Sequence, residues 1–426
     1  MVQLYGRGQY VAAKRFCFDN DRSKQKGVII TMKVLIINHF PLDGSGSGTY
    51  TRNIAVHLSK KGHEVCVIMP ENTTEYADVP GVKLIPVYFQ HTESIEGMLP
   101  FNFPCFTTHP RSVMTFYDLT DAQLDMYLST FEKVIGETVE EFKPDIIHGQ
   151  HIWLLSWLAI KTGVPYVVTA HGTDLMGYKQ GERFRKYADE TALRAKRIIT
   201  ISNDNNELVK ELFPAAADNA VFMQNGYDTD RFYPEPISRD KVEDMFNIKL
   251  RNKFVLFVGK LAHFKGIDIL VEALRLYESE YPEDITTIIA GDGELLTPLK
   301  NQANDAGLKD LHFVGHLNST QLRELYSTAD VDLVPSRREP FGLVAIEALA
   351  CGCPVIATNQ GGLTDIITDE VGTLVDVEDA SGLAAAIRKE IYHPDRAQRG
   401  KNAAKYALEN YAQGSLMDTL IGIYNS

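Results

Sequence analysis

The amino-acid sequence predicts an α/β protein made of two doubly wound parallel-sheet domains that face each other across a central cleft. Two observations carry that expectation. Short β-branched runs alternate with helical patterns along most of the chain, as a parallel sheet requires, because each crossover must carry the chain back over a sheet face. The alternation starts afresh near the middle, and 426 residues are too many for one ordinary core but suit two domains of roughly 150–200 residues each.

The first half opens with an apolar run at 34–38, a turn rich in glycine at Gly44, Gly46 and Gly48, and a helix over 50–61 that carries Ile54 and Leu58 at helical spacing and stops at Gly62. Strand-like runs follow at 64–69, 82–87, 145–148, 166–170, 197–201 and 220–224, with helical patterns at 124–142 and 183–195 between them. The second half repeats the scheme with a strand at 254–258, a turn at 259–266, a helix at 267–277 and strands at 286–290, 311–314, 331–335 and 354–358. A stretch rich in proline and charge, 228–239, is the expected joint. The chain therefore divides into an N-terminal extension, 1–31, that carries no chemistry, a first domain, 32–230, a second domain, 231–405, and a C-terminal piece, 406–426. The helical pattern over 403–424 is long enough to carry that piece back to the first domain. Met32, where the periodic pattern begins, is a candidate start of the natural protein.

Apolar residues make up 44% and charged residues 23%, enough to build a sizeable core without the depletion that marks disorder. No run approaches the roughly 18–20 apolar residues of a membrane helix, and charged residues interrupt any export signal within 1–31. Cys17, Cys66, Cys105, Cys351 and Cys353 are odd in number and scattered, which points to buried thiols in a reducing, cytoplasmic setting. The net charge of −13, from 43 basic and 56 acidic side chains, excludes a general nucleic-acid surface. It also disfavours an anionic membrane, although the aromatic and proline-bearing segment 98–116 is a candidate for membrane contact or for lining an acceptor site.

The strongest chemical signal is the run from Glu339 through Pro340, Phe341, Gly342 and Leu343 to Glu347, placed after the strand at 331–335. Phe341 and Gly342 open a helix whose first N–H groups lack intrahelical partners and suit phosphate and sugar oxygens. Glu339 and Glu347, about two turns apart, can grip different parts of one extended ligand, since a carboxylate accepts from neighbouring hydroxyls. Lys260 and Lys265 flank the turn that opens the second half, where two cations can neutralise a leaving diphosphate. Gly46, Ser47 and Gly48 let backbone come close to a ligand. That loop lacks the spacing of a dinucleotide fingerprint, although Glu71 stands where a ribose-binding acid would. His171 and Asp174 follow a strand end and face the cleft. His148 and His151 have a metal-like spacing, but strand-end packing accounts for them better. Three acidic triplets, at Asp19 and Asp21, Asp228 and Asp230, and Asp330 and Asp332, sit away from any glycine-rich phosphate turn, so no metal is expected. Cys351 and Cys353, around Gly352, suit tight packing.

Together these ordered motifs resemble the retaining glycosyltransferases of the GT4 family, which have the GT-B fold of two facing Rossmann-like domains, from about Met32 to the C-terminus. The resemblance implies an acceptor domain followed by a nucleotide-sugar donor domain. It places Lys260 and Lys265 on the donor diphosphate, with Lys260 standing where the family usually has arginine. It gives Glu339 the transferred sugar, Glu347 the ribose, and the backbone of Phe341, Gly342 and Leu343 sugar and phosphate. His171 matches the active-site histidine, Gly291, Gly293 and Glu294 the segment beside the base, and Asn225 with Gly226 the interdomain turn. The implied activity is transfer of a hexosyl or N-acetylhexosaminyl group from a nucleotide diphosphate sugar, a UDP-sugar in family terms, to a small-molecule or glycan acceptor, with an α bond formed and no metal or other cofactor. A non-catalytic sugar-nucleotide binding protein and a sugar-nucleotide epimerase on a similar fold are the alternatives.

Overall fold

The computed structural model describes residues 31–426 apart from Ala77, 91–94, Thr108 and Glu283. The N-terminal extension, with Cys17 and the triplet at Asp19 and Asp21, thus lies outside the described residues except for Thr31. Seven strands, β1 (Lys33–Ile37), β2 (Glu64–Glu71), β3 (Val82–Tyr88), β4 (Ile146–Gln150), β5 (Tyr166–Ala170), β6 (Arg197–Thr200) and β7 (Ala220–Phe222), form a sheet in the order β3-β2-β1-β4-β5-β6-β7. Six more, β8 (Lys253–Val258), β9 (Ile285–Ala290), β10 (Leu311–Gly315), β11 (Val331–Val334), β12 (Val355–Thr358) and β13 (Gly372–Val375), form a second sheet in the order β10-β9-β8-β11-β12-β13. Every strand pairing in both sheets is parallel.

Both orders reverse at one point, between β1 and β4 in the first sheet and between β8 and β11 in the second. Crossovers on the two sides of such a point leave on opposite faces and open a crevice at the carboxyl ends of the strands. The topology therefore selects four turns, those after β1, β4, β8 and β11.

Each sheet is covered on both faces, which explains why its strands read as unbroken apolar runs instead of alternating ones. In the first, Leu35 and Ile37 join Cys66 and Ile68 on one face, while Val34 and Ile36 join Val65 and Val67 on the other. In the second, Val255 and Phe257 face one core and Phe254 and Leu256 the opposite one. Both sheets belong to one compact unit, Met32–Ser426.

Three readings of the sequence need correction. Gly46, Ser47 and Gly48 are not a loop but the first turn of the helix Gly46–Lys60, because Ser45 caps it by accepting from the Gly48 N–H at 3.0 Å. The single helix expected over 403–424 is two, Arg396–Tyr411 and Gln413–Asn425. The break falls at Ala412, where Tyr227 inserts as a bridge, its N–H donating to Tyr411 and its carbonyl accepting from Gln413. The strand β13 was not foreseen at all. Beyond the break, Met417, Leu420, Ile423 and Tyr424 pack among Val34, Ile36, Ile54 and Leu58 of the first sheet's core.

Candidate active site

The second sheet gathers its candidate residues on three turns that lean on one another. The turn after β8 folds against the turn after β9: Leu261 N–H donates to the Asp292 carbonyl at 2.9 Å and Gly259 N–H to the Ala290 carbonyl at 3.0 Å. Gly291, at φ +143°, passes so close that a Cβ there would overlap the Gly259 carbonyl oxygen. This brings Gly291, Gly293 and Glu294 beside Lys260, whose ammonium is disfavoured by burial and favoured by the Glu294 charge. The turn after β11 docks in turn on the one after β8, with the N–H of Arg337 donating to the Phe264 carbonyl at 2.9 Å and its guanidinium clamped on Asp268 at 2.6 and 2.8 Å.

Those contacts set Lys265 against Glu339. Their side chains form a salt bridge at a largely buried point, and Ser336 Oγ donates to the same Glu339 oxygen at 3.4 Å. The Glu339 carbonyl accepts from Gly362 N–H at 3.0 Å and its own N–H donates to Gln360 Oε1 at 3.3 Å, so the turn after β12 fixes the backbone that carries the carboxylate. The chain then passes Pro340 and Phe341 to Gly342, which caps the helix Leu343–Ala350 at φ +109°. Glu347 lies on that helix, in surroundings that push its carboxyl up to about 8 by burial, opposed only by the charge of Arg231.

In the first sheet, β4 and β5 deliver a cluster of histidines. His171 donates from Nε2 to Gln150 Oε1 at 2.8 Å and packs edge-on against Tyr50 at 5.0 Å. An acceptor oxygen at Nε2 places the proton there and leaves Nδ1 with its lone pair. Burial drops the His171 pKa to about 3, with the neighbouring histidines adding to the effect, so the ring is neutral at physiological pH. His39 is likewise neutral, donating from Nδ1 to the Gln150 carbonyl and accepting from Leu155 N–H at Nε2. His151 lies between them, its ring centroid 4.7 Å from that of His171, at φ +78° and with neither ring nitrogen hydrogen-bonded among the described residues.

Asp174, expected to meet substrate, turns inward instead. Its oxygens accept from the backbone N–H groups of Ile152 and His171 at 2.8 and 3.1 Å, and burial raises its pKa to about 6. It therefore ties the β4 turn to the β5 turn and orients His171. His148 packs at a strand end as expected, between the Tyr424 hydroxyl and Thr169 Oγ1 at 2.8 and 2.7 Å. Glu71 is fully engaged, because Arg111 donates to it twice, at 2.8 and 3.2 Å, which removes the acid a dinucleotide site would need. Asp228 pairs with Arg231 and Asp330 with Arg396. Asn225 caps its own turn, accepting from Gly226 N–H at 2.8 Å.

The two sheets bring these groups face to face. Gly172, at φ +87°, runs so near Pro340 that an added Cβ would lie 3.2 Å from the proline ring, which sets the His171 turn directly against the Glu339 segment. Asn203 reinforces the approach by donating to Asp365 at 2.8 Å. Lys260 is close enough to the 99–118 loop for its charge to act on Cys105 and His109. Sequence reasoning missed Gln150, Ser336, Gln360 and Arg231, which are polar residues of ordinary type and gain meaning only from contacts across the fold.

A crevice at two switch points, with a basic turn, a helix N-terminus and a neutral histidine converging on it, is the architecture of a GT-B glycosyltransferase. The chain matches the family described as Glycosyltransferase Family 4 over residues 44–231 and the one described as Glycosyl transferases group 1 over residues 238–406. It belongs to this GT4 group of retaining, nucleotide-sugar-dependent glycosyltransferases. It is 30% identical over 393 residues to glycogen synthase of Mycobacterium tuberculosis, covering 88% of this chain and 90% of that protein. It is 30% identical over 407 residues to D-inositol 3-phosphate glycosyltransferase of Mycolicibacterium smegmatis, covering 90% and 86%. Among solved structures, sucrose-phosphate synthase from Thermosynechococcus elongatus superimposes with a TM-score of 0.74 at 22% identity, covering 92% and 98% of the two chains. Anabaena HepE in complex with UDP and glucose does so with a TM-score of 0.70 at 20% identity, covering 93% and 100%. No helix among the described residues is long and apolar enough to cross a membrane.

Proposed function

We propose that this enzyme transfers a hexosyl or N-acetylhexosaminyl group from a UDP-sugar to a small-molecule or glycan acceptor, with an α bond retained and without a metal. The observation that carries the reading is the meeting of Lys265, Glu339 and the His171 turn at one point of the crevice. Lys260 and Lys265 take the diphosphate, with Lys260 supplying a point charge where an arginine would offer a fork. The amides of Phe341, Gly342 and Leu343 add donors at the helix N-terminus, and the turn at Gly46, Ser47 and Gly48 closes the opposite side. Glu339 accepts from hydroxyls of the transferred sugar and Glu347 from the ribose, while Gly291, Gly293 and Glu294 flank the base. HepE was solved with UDP-glucose, which supports UDP as the nucleotide.

Glu339 pairs with Lys265, and donor binding exchanges that pair for two separate contacts, ammonium to phosphate and carboxylate to hydroxyl. The bond between the anomeric carbon and the phosphate oxygen breaks as the acceptor oxygen bonds to the same face. The acceptor's proton passes to the departing phosphate oxygen. The lysines and helix amides stabilise the charge that grows on the diphosphate, and the closed crevice excludes water. His171, neutral with its Nδ1 lone pair free of a proton, accepts from a sugar hydroxyl.

The test is UDP release from a panel of UDP-sugars with mixed acceptors. Lys265→Ala and Glu339→Gln should each lower kcat by about 10²–10³-fold, the loss seen when one transition-state partner is removed. Unchanged turnover in both variants would reject the site. Conversion of donor without acceptor would instead establish an epimerase, and nucleotide binding without any turnover a non-catalytic binding protein.

A further inference from the structure

We propose that the acceptor is a neutral, polyhydroxylated chain and that it lies in the groove lined by Asn72, Gln90, Asn102 and Gln123, beside the turn that follows β1. This rests on the transferase reading above. The groove has a volume of 940 Å³, toward the upper end of the roughly 300–1,000 Å³ typical of small-molecule sites. Asn72 follows β2, Gln90 follows β3, Asn102 belongs to the 99–118 loop, and Gln123 stands in the first turn of the helix Asp121–Phe142. Arg111, also in its wall, joins the groove to the transfer site. Besides its two bonds to Glu71 it donates to Asp43 at 2.6 Å, the residue just ahead of Gly44.

That ligation decides which acceptors fit. Arg111 is the one cation among the described lining residues, and two carboxylates, Glu71 and Asp43, already hold it. Asp118 is the one carboxylate among the described lining residues, kept ionised below its ordinary range by hydrogen bonds from Thr115. With the Arg111 charge already matched by Glu71 and Asp43, the ionised Asp118 is left to repel a phosphate or carboxylate on the incoming molecule. What the groove does offer is amides. The side chains of Gln90 and Asn102 make no hydrogen bond among the described residues. Gln123 spends only its Oε1, which accepts from Thr120, and Asn72 only its Nδ2, which donates to the Arg111 carbonyl. Amide N–H donors and C=O acceptors together match hydroxyl groups, which both donate and accept.

The experiment uses neutral gluco-, galacto- and manno-configured di- and trisaccharides and the same sugars carrying one phosphate. Binding to the full chain without donor is read by saturation-transfer NMR, and transfer is read with whichever donor is turned over. Neutral sugars should bind and accept, each phosphorylated counterpart being weaker by about tenfold or more. Replacing both Gln90 and Asn102 by alanine should raise the acceptor KM by about tenfold while the donor KM moves less than about twofold. Phosphorylated sugars that bind as well as the neutral ones, or an acceptor KM untouched by the double substitution, would overturn the proposal. Donor-free binding separates the two readings: neutral sugars that bind in the absence of any turnover sink the transferase reading alone. Turnover without neutral-sugar binding sinks this one alone.

Discussion

Burial keeps the Glu347 carboxyl protonated up to a pKa of about 8, far above its ordinary 4.5, although the role proposed for it needs the ionised form. Between those two values the folded chain holds a proton that the unfolded chain has released. This group's contribution to stability therefore declines as pH rises from about 4.5 to about 8. Ribose hydroxyls donate to a carboxylate, so donor binding should expel that proton. Affinity for UDP is expected to improve as pH rises toward about 8 and to level off above it, and calorimetry in buffers of different ionisation enthalpy should register one proton released near neutrality. Glu347→Gln should abolish both effects. The backbone at Gly291 makes a different demand. Its φ of +143° and its approach to the Gly259 carbonyl leave no room for a methyl group, so Gly291→Ala should cost about 3 kcal/mol or more in a urea titration. At this scale the sequence was most informative where a residue type is chemically unusual for its place. Glu339, Lys265 and His171 were candidates because they follow strands, and Glu347 because it lies about two helical turns beyond Glu339. Gln150 did not, because its value lies in a bond to His171 that only the pairing of β4 with β5 creates.

Most strands were legible as short runs bounded by turn residues, the half-buried β3, β7 and β10 among them. β1, β5, β8 and β9 are buried on both faces and announced themselves as apolar or β-branched runs. β13 is a four-residue edge strand, mostly half-buried, and carries no such signature. The break at Ala412 was missed for another reason: Asn410 and Gly414 weaken a helix there without fixing where it ends, and the interruption is set by Tyr227, far away in the chain. The helix beyond that break is held to the first sheet by apolar burial and by the Tyr424 hydroxyl on His148 Nδ1. Tyr424→Phe keeps the ring and strands a buried imidazole nitrogen, so it should lower stability by about 1–3 kcal/mol. The urea midpoint should fall at constant slope.

The molecule as a whole is two sheets whose switch points face each other, and a ligand that bridges them binds only the folded state. UDP at about 100 times its Kd should stabilise the protein by about 2.7 kcal/mol, seen as a rise in Tm by differential scanning fluorimetry. With Lys265→Ala the same concentration should give a smaller rise. The doubly wound halves could be read from periodicity alone. How the His171 turn meets Pro340 could not, because that approach depends on the angle between the sheets.

The return of the helix Gln413–Asn425 to the first sheet also imposes an order on synthesis. The last strand of that sheet ends at Phe222, and the ribosome must add about 190 residues, 223–412, before the covering helix begins to emerge. At about 5–20 residues per second this interval is on the order of 10–40 s. Throughout it the side of the first sheet lined by Val34 and Ile36 waits without its lid, a nascent apolar surface for which a chaperone would compete.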